Sequence, residues 1–406
     1  MKANSQGFWP PSYDGHGLLN LVSSIATACG AEAWPSAPLA EVDTSSWAKA
    51  RNIVLLLADG VGADFIARTS PDGPLHRHQV ATITSVCPTT TASAIPTLMT
   101  GLPPAGHGLT GWNVYLDEID AITAVLPLSV RGGYPGPDLP IEPNVLYDYP
   151  NLYPQLFRQC HIVSPARISG SPFSRTHSFG ATLHAYQPQA NPWLDALPFC
   201  RRRRDFFGTL RRLCHEKGRP QFIYGYWPDF DHAAHEHGVD SPTAVKLFKQ
   251  FEIDLENFLH EIRGTDTLVL VTADHGFVDS PPDRQIHLAD HTGLAALLTR
   301  PLSGERRLAY CSLKPGAARD FEDYISTVFP DRMAAWPRAK LLDEGWFGPG
   351  TPHPKLAARI GDYALVMKDV WTLVDQIPGE RPIRMLGVHG GLSRYEMRIP
   401  LSVVPC

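Results

Sequence analysis

The sequence predicts an α/β fold: a three-layer α/β/α sandwich around a central, mostly parallel sheet, with a smaller inserted cap region. Two apolar runs, "NIVLLLADG" at 52–60 and "DTLVLVTADHG" at 266–276, are too uniformly apolar to alternate between core and solvent. That is the signature of strands buried on both faces, as in a parallel sheet covered by helices. A third run, "QFIYGYW" at 221–227, has the same character. Each of the first two ends in an Asp before a Gly. In open α/β sheets ligands gather at the carboxyl ends of strands, so Asp59, Asp274 and the acidic stretch after Trp227 are placed to share one crevice.

The chain has 406 residues, 43% hydrophobic and 19% charged, which is enough for one large domain with insertions. The expected organisation is an N-terminal segment over 1–50 packing on the core, a catalytic core over 51–284, an inserted cap over 285–385 and the last part of the core over 386–406. The segment 131–154, "RGGYPGPDLPIEPNVLYDYPNLYP", reads as a long surface excursion near the cleft. Within the cap, helical periodicity runs near 317–328, and "DYALVMKDVWTLV" is strand-like.

A formal charge of -5 gives no general attraction to nucleic acid or to an anionic membrane, so anion binding must be local. No nucleic-acid polymer or membrane is an expected partner, and nothing in the sequence fixes the oligomeric state. The seven cysteines are scattered, with no C-x-x-C pair, and read as reduced thiols. The N-terminus lacks the charged-then-apolar order of a secretory leader, and "GLLNLVSSIATACG" is too short to span a membrane. A cytoplasmic location is expected, or a periplasmic one if a leader has been removed. The basic run "RRRRDFFGTLRR" at 201–212 reads as a solvated helix face over buried Phe206 and Phe207.

The chemistry begins in "DFDHAAHEHG", residues 229–238, with two Asp, three His and one Glu in ten positions. On a helix Asp231 and His235, four apart, face the same way, as two ligands of one metal would. His232 and Glu236 share that spacing, and alone the pattern suits a solvated polar face. Other clusters change the balance. Asp274 and His275 leave a strand end together, Asp59 leaves another, and His389 lies in "GVHGGLS" between residues that let backbone approach closely. Together they supply three carboxylates and three imidazoles without cysteine. That donor set fits two divalent ions, with Zn2+ favoured and Mn2+ compatible. Two ions roughly 4 Å apart clamp the attacking and leaving oxygens of a displacement at phosphorus. Such a site calls for a Ser or Thr at a helix N-terminus, and "VCPTTTASAIPTLMTG" offers Thr89, Thr90 and Thr91, each equally suited to capping that helix.

In that order, "LLLADGVG", P-T-x-T running into "TGLPPAGHG", D-x-x-x-H-x-x-G, "ADHG" and "GVHGG" resemble the alkaline phosphatase superfamily, and within it the type I phosphodiesterase/nucleotide pyrophosphatase family. The resemblance implies a hydrolase of phosphodiester or pyrophosphate bonds in small molecules, acting through a phosphothreonine. It makes Thr91 the nucleophile. It puts Asp59, Thr91, Asp274 and His275 on one metal and Asp231, His235 and His389 on the other, with Asp229 the rival to Asp231. It also implies a substrate-binding asparagine after "HG"; Asn113 lies one residue late for that role, and Ala92 stands where nucleotide pyrophosphatases carry an aromatic residue. A phosphomonoesterase or phosphonate hydrolase on the same scaffold, and a non-catalytic metal-dependent phosphate binder, are the alternatives.

Overall fold

The apolar runs of the sequence meet in one sheet. In the computed structural model, which describes residues 2–32, 34–132, 142–187, 206–380 and 384–406, strand Asn52–Ala58 lies between Thr267–Thr272 and Gln221–Trp227 and is parallel to both. Every residue of Asn52–Ala58 and Thr267–Thr272 is buried. This uniform burial is why the runs do not alternate. Across the sheet the order is Gln79–Thr84, Arg398–Pro405, Thr267–Thr272, Asn52–Ala58, Gln221–Trp227, Gln159–Pro165 and Thr182–Tyr186. Arg398–Pro405 alone opposes its neighbours. Helices flank this mostly parallel sheet: Leu18–Ala28 packs on Thr91–Thr100, and Phe206–His215 on Pro242–Glu261. The architecture is that of a three-layer α/β/α sandwich.

Register sets the site. Ala58 pairs with Trp227 and Leu57 with Thr272, so three central strands end level. Asp59, Asp274, His275 and the helix Asp229–His237 therefore start from one rim of the sheet.

A second seven-stranded sheet has the order Met333–Pro337, Tyr363–Met367, Leu308–Cys311, Ser303–Gly304, Asn113–Leu116, Ala121–Ala124 and Ser129–Val130. Its strands come from two stretches far apart in the chain, so the proposed cap, 285–385, shares a sheet with residues 113–130. The expected periodic segments appear as helix Ala318–Val328 and strands Tyr363–Met367 and Thr372–Val374. In the basic run, Phe206 is buried and Phe207 half-buried on helix Phe206–His215, while Arg201–Asp205 lie outside the described residues. So do residues 133–141 of the proline-rich excursion. The six cysteines among the described residues are free. No helix among them is long and apolar enough to cross a membrane.

One buried ion pair joins the second sheet to the segment carrying His389. Arg307 grips Glu396 with two hydrogen bonds of 2.7 and 2.9 Å, both side chains fully buried, and also donates to the carbonyls of Trp371 and Asp369. Glu396 in turn accepts from the Gly391 N–H at 2.8 Å. Removing one partner leaves the other charge buried and alone. Arg307→Met is therefore predicted to destabilise the fold by about 3–5 kcal/mol in urea unfolding; a loss indistinguishable from zero would show that the pair is not holding this junction.

Candidate metal centre

Each candidate ligand reaches the rim by a different local device. Asp59 and Asp274 sit where strands stop. The Asp274 carboxylate is oriented by the N–H groups of Gly60 and His275, both donating to Oδ1 at 3.1 Å. Asp59 Oδ2 accepts a short hydrogen bond from the Tyr226 hydroxyl. In the helix Asp229–His237, Phe230, Ala233 and Ala234 are buried, and Asp231 and His235 project together from another face. The helix ends at Gly238, with φ 96°, which any side chain would strain, and a Cβ there would meet Asp279 Oδ2 at 2.9 Å.

Three carboxylate oxygens, Asp59 Oδ1, Asp231 Oδ1 and Asp274 Oδ2, are buried without a hydrogen-bond partner among the described residues. They surround His275 Nε2 at 3.4, 3.9 and 3.5 Å respectively. His389 Nε2 lies 3.8 Å from Asp231 Oδ1 and 3.2 Å from His235 Nε2, which is itself 3.4 Å from Asp231 Oδ1. Ligand atoms of Asp59, Asp274 and His275 lie within 4.8 Å of one another, as do those of Asp231, His275 and His389. His275 is thus the seam between two groups.

The histidines are set as ligands. Nδ1 of His235 is 2.8 Å from the Gly387 carbonyl, that of His275 3.1 Å from Gly276 O, and that of His389 3.1 Å from Thr89 O. Each Nδ1–H donates to a carbonyl, so in its neutral form each ring turns the Nε2 lone pair towards the carboxylates. Two such lone pairs 3.2 Å apart, at His235 and His389, cannot hydrogen-bond to each other. A cation resolves that repulsion. Burial, together with His275 and His235, holds His389 well below the ordinary imidazole range, in its ligand form. Burial, then the neighbouring Asp274 and Asp231, pushes the Asp59 carboxyl well above its usual range. Orphaned oxygens, fixed tautomers and a mixed N/O donor set all fit divalent metal ions.

Thr91 opens the helix Thr91–Thr100, with Thr90 as its N-cap residue, and its hydroxyl donates to His275 Nε2 at 3.1 Å. Thr89 is turned away, donating to the Gly391 carbonyl at 2.8 Å. A cavity of about 1150 Å³ opens over Thr91, Asp231, His235 and His389, and Asn113 lines it from the second sheet. The structure therefore brings Asp59, Thr91, Asp231, His235, Asp274, His275 and His389 together, with Asn113 on the wall. Asp229 lies apart, with burial raising its carboxyl and Arg167 opposing that rise. His232 and Glu236 are exposed.

Sequence reasoning passed over Glu305. It lines the cavity, accepts the Trp112 N–H at 2.6 Å, and is pushed up to about 7 by burial, against the pull of Thr90, Trp112, His275 and Arg306. Nothing in "SGERRL" marks it, because its surroundings come from residues 90, 112 and 390.

A family model described as type I phosphodiesterase/nucleotide pyrophosphatase matches residues 53–392. Similar solved structures include murine ectonucleotide pyrophosphatase/phosphodiesterase 5, at 15% identity and TM-score 0.60, covering 86% of this chain and 87% of that one. An inactive threonine-to-alanine variant of the murine protein, in complex with AMP, matches at TM-score 0.59. Phosphonoacetate hydrolase from Sinorhizobium meliloti 1021, in complex with phosphonoformate, matches at 19% identity and TM-score 0.55, covering 87% and 89% of the two chains. At these identities the likeness shows the fold. No curated protein sequence matches.

The raised Asp59 carboxyl gives a signed expectation. In the metal-free protein it keeps its proton to a higher pH than an ordinary aspartate, whereas a metal needs it ionised. Zinc binding near neutral pH should therefore release protons, and affinity should rise with pH. Calorimetry in buffers of different ionisation enthalpy measures this; a buffer-independent heat would contradict it.

Proposed function

The chain belongs to the type I phosphodiesterase/nucleotide pyrophosphatase family of the alkaline phosphatase superfamily, and on that premise we propose that it cleaves phosphodiester or pyrophosphate bonds of small molecules through a phosphothreonine at Thr91. One observation carries the reading: the Thr91 hydroxyl, at a helix N-terminus, sits 3.1 Å from His275 Nε2 among carboxylate oxygens that no donor among the described residues satisfies.

In this reading Asp59, Thr91, Asp274 and His275 hold one divalent ion, and Asp231, His235 and His389 the other, with Zn2+ favoured and Mn2+ compatible. The distances support that division: Asp59 and Asp274 approach His275 at 3.4 and 3.5 Å, whereas Asp231 and His389 approach His235 at 3.4 and 3.2 Å. When bound, the ions would supply the positive charge that acidifies the nucleophile and stabilises the departing oxygen. Thr91 Oγ1 attacks phosphorus in line, and the alcohol or phosphate leaves from the opposite side. Water then attacks the phosphothreonine from the vacated side, so two inversions give net retention. The Ser93 and Ala94 amides donate to the Thr90 carbonyl, which leaves those of Thr91 and Ala92 at the helix start to face the developing negative charge. Asn113, on the cavity wall, would donate its side-chain amide to a phosphoryl oxygen.

Ala92 is fully buried and offers a substrate no aromatic surface, so nothing at that position favours a nucleotide. The same centre suits a phosphomonoesterase or phosphonate hydrolase, and a panel of monoester, diester, nucleotide pyrophosphate and phosphonate substrates with zinc or manganese ranks them. Thr91→Ala should lower kcat by at least ~1000-fold while metal remains bound. Near-normal turnover in that variant would remove Thr91 from the mechanism. Metal binding by the wild type without turnover of any substrate would favour a phosphate-binding protein.

A further inference from the structure

Glu305 is a carboxylate on the reaction side of the cavity that the metal cluster does not use. Four features fix its side chain beside the nucleophile. Its Oε1 accepts the Trp112 N–H at 2.6 Å. The Thr90 hydroxyl, buried without a well-formed hydrogen bond of its own, faces the same carboxylate. The side chain lies along the turn after His389, so that a Cβ on Gly390, where φ is 99°, would fall 2.6 Å from its Cβ and Cγ. It also shares the cavity wall with Thr90, Thr91 and His389. The other acidic residues on the wall are differently engaged. Glu380 is bound by Arg131 at 2.7 and 2.9 Å, the Asp375 side chain accepts the Leu302 N–H at 2.7 Å, and Glu236 is exposed on its helix.

A carboxylate in that place carries a fixed chemical preference. A phosphodiester bears one negative charge, whereas a phosphomonoester acquires a second as it ionises near pH ~6. With Thr91 as the attacking atom, the non-bridging oxygens come to lie against the wall that Thr90 and Glu305 share. Arg306 faces Glu305 as a counter-charge and is shared with Glu380, so the cancellation is partial.

We propose that Glu305 is a charge filter for the phosphoryl group, disfavouring substrates with a second negative charge on phosphorus and so favouring diesters over monoesters. The inference rests on the hydrolase reading above and narrows its substrate class. In a partly dry cavity, a like charge a few ångströms away changes relative reactivity by about tenfold or more.

The test uses the zinc-loaded protein at about pH 8.5, above both the second ionisation of the monoester and the value of about 7 to which burial pushes Glu305, with an aryl phosphate and its methyl diester sharing one leaving group. The ratio of kcat/KM for monoester over diester should rise about tenfold or more in Glu305→Gln, whose amide oxygen still accepts the Trp112 N–H. Glu305→Ser, smaller and neutral, should shift it the same way if the amide crowds Gly390. Glu305→Asp should keep the ratio low. An unchanged or lower ratio in both neutral variants, with the wild type active, overturns the filter alone. A wild type inert towards both esters overturns the hydrolase reading and the filter with it.

Discussion

The mutual repulsion of the donor atoms at the sheet rim is the constraint on which the rest of the structure depends. Asp59, Asp231 and Asp274 each turn inwards a buried oxygen with no hydrogen-bond partner among the described residues, and His235, His275 and His389 turn their Nε2 atoms to meet them. An unsatisfied buried acceptor costs about 1–3 kcal/mol, more when charged. The surrounding protein supports this arrangement while satisfying the other atoms of the same groups: Tyr226 on Asp59, backbone amides on Asp274, and carbonyls on every Nδ1. A polypeptide that satisfies one side of each ligand and leaves the other bare is preorganised for cations.

The ligands come from stretches up to 330 residues apart, Asp59 to His389, and the fold spends its most regular features on aligning them. Level strand ends align Asp59 with Asp274 and His275. Helical spacing aligns Asp231 with His235. His389 has no such element of its own, and its position is secured from behind: Gly391 donates to Glu396, which Arg307 of the second sheet grips. The second sheet thus braces the turn that carries His389 as well as walling the cavity.

These differences explain what the sequence made legible. Fully apolar strands ending in Asp announce themselves, because burial on both faces leaves a continuous run. An i,i+4 Asp–His pair survives as a helical signal. His389 carries only nearby glycines, so it signals little alone and gains meaning only beside the other clusters. Glu305 was illegible for a physical reason: its charge state and direction are set by Thr90, Trp112 and Gly390, none of them near it in sequence. Most of the second sheet was hidden too, Tyr363–Met367 being the strand of it that the sequence shows. Strands of two to five residues, Ser303–Gly304 pairing with Asn113 among them, are too short to show a period. The reaction centre is therefore encoded locally, while the substrate wall is encoded by contacts between distant segments.

That contrast places the proposed chemistry in the candidate metal cluster and the proposed selectivity in the wall made by Trp112, Asn113 and Glu305. The cluster is the claim on which everything else stands, and anomalous diffraction from crystals soaked in zinc tests it most directly. The account predicts two peaks, about 4 Å apart, one within bonding distance of Asp59, Thr91, Asp274 and His275 and the other of Asp231, His235 and His389. A single peak, or none at these residues in a well-ordered crystal, would contradict it.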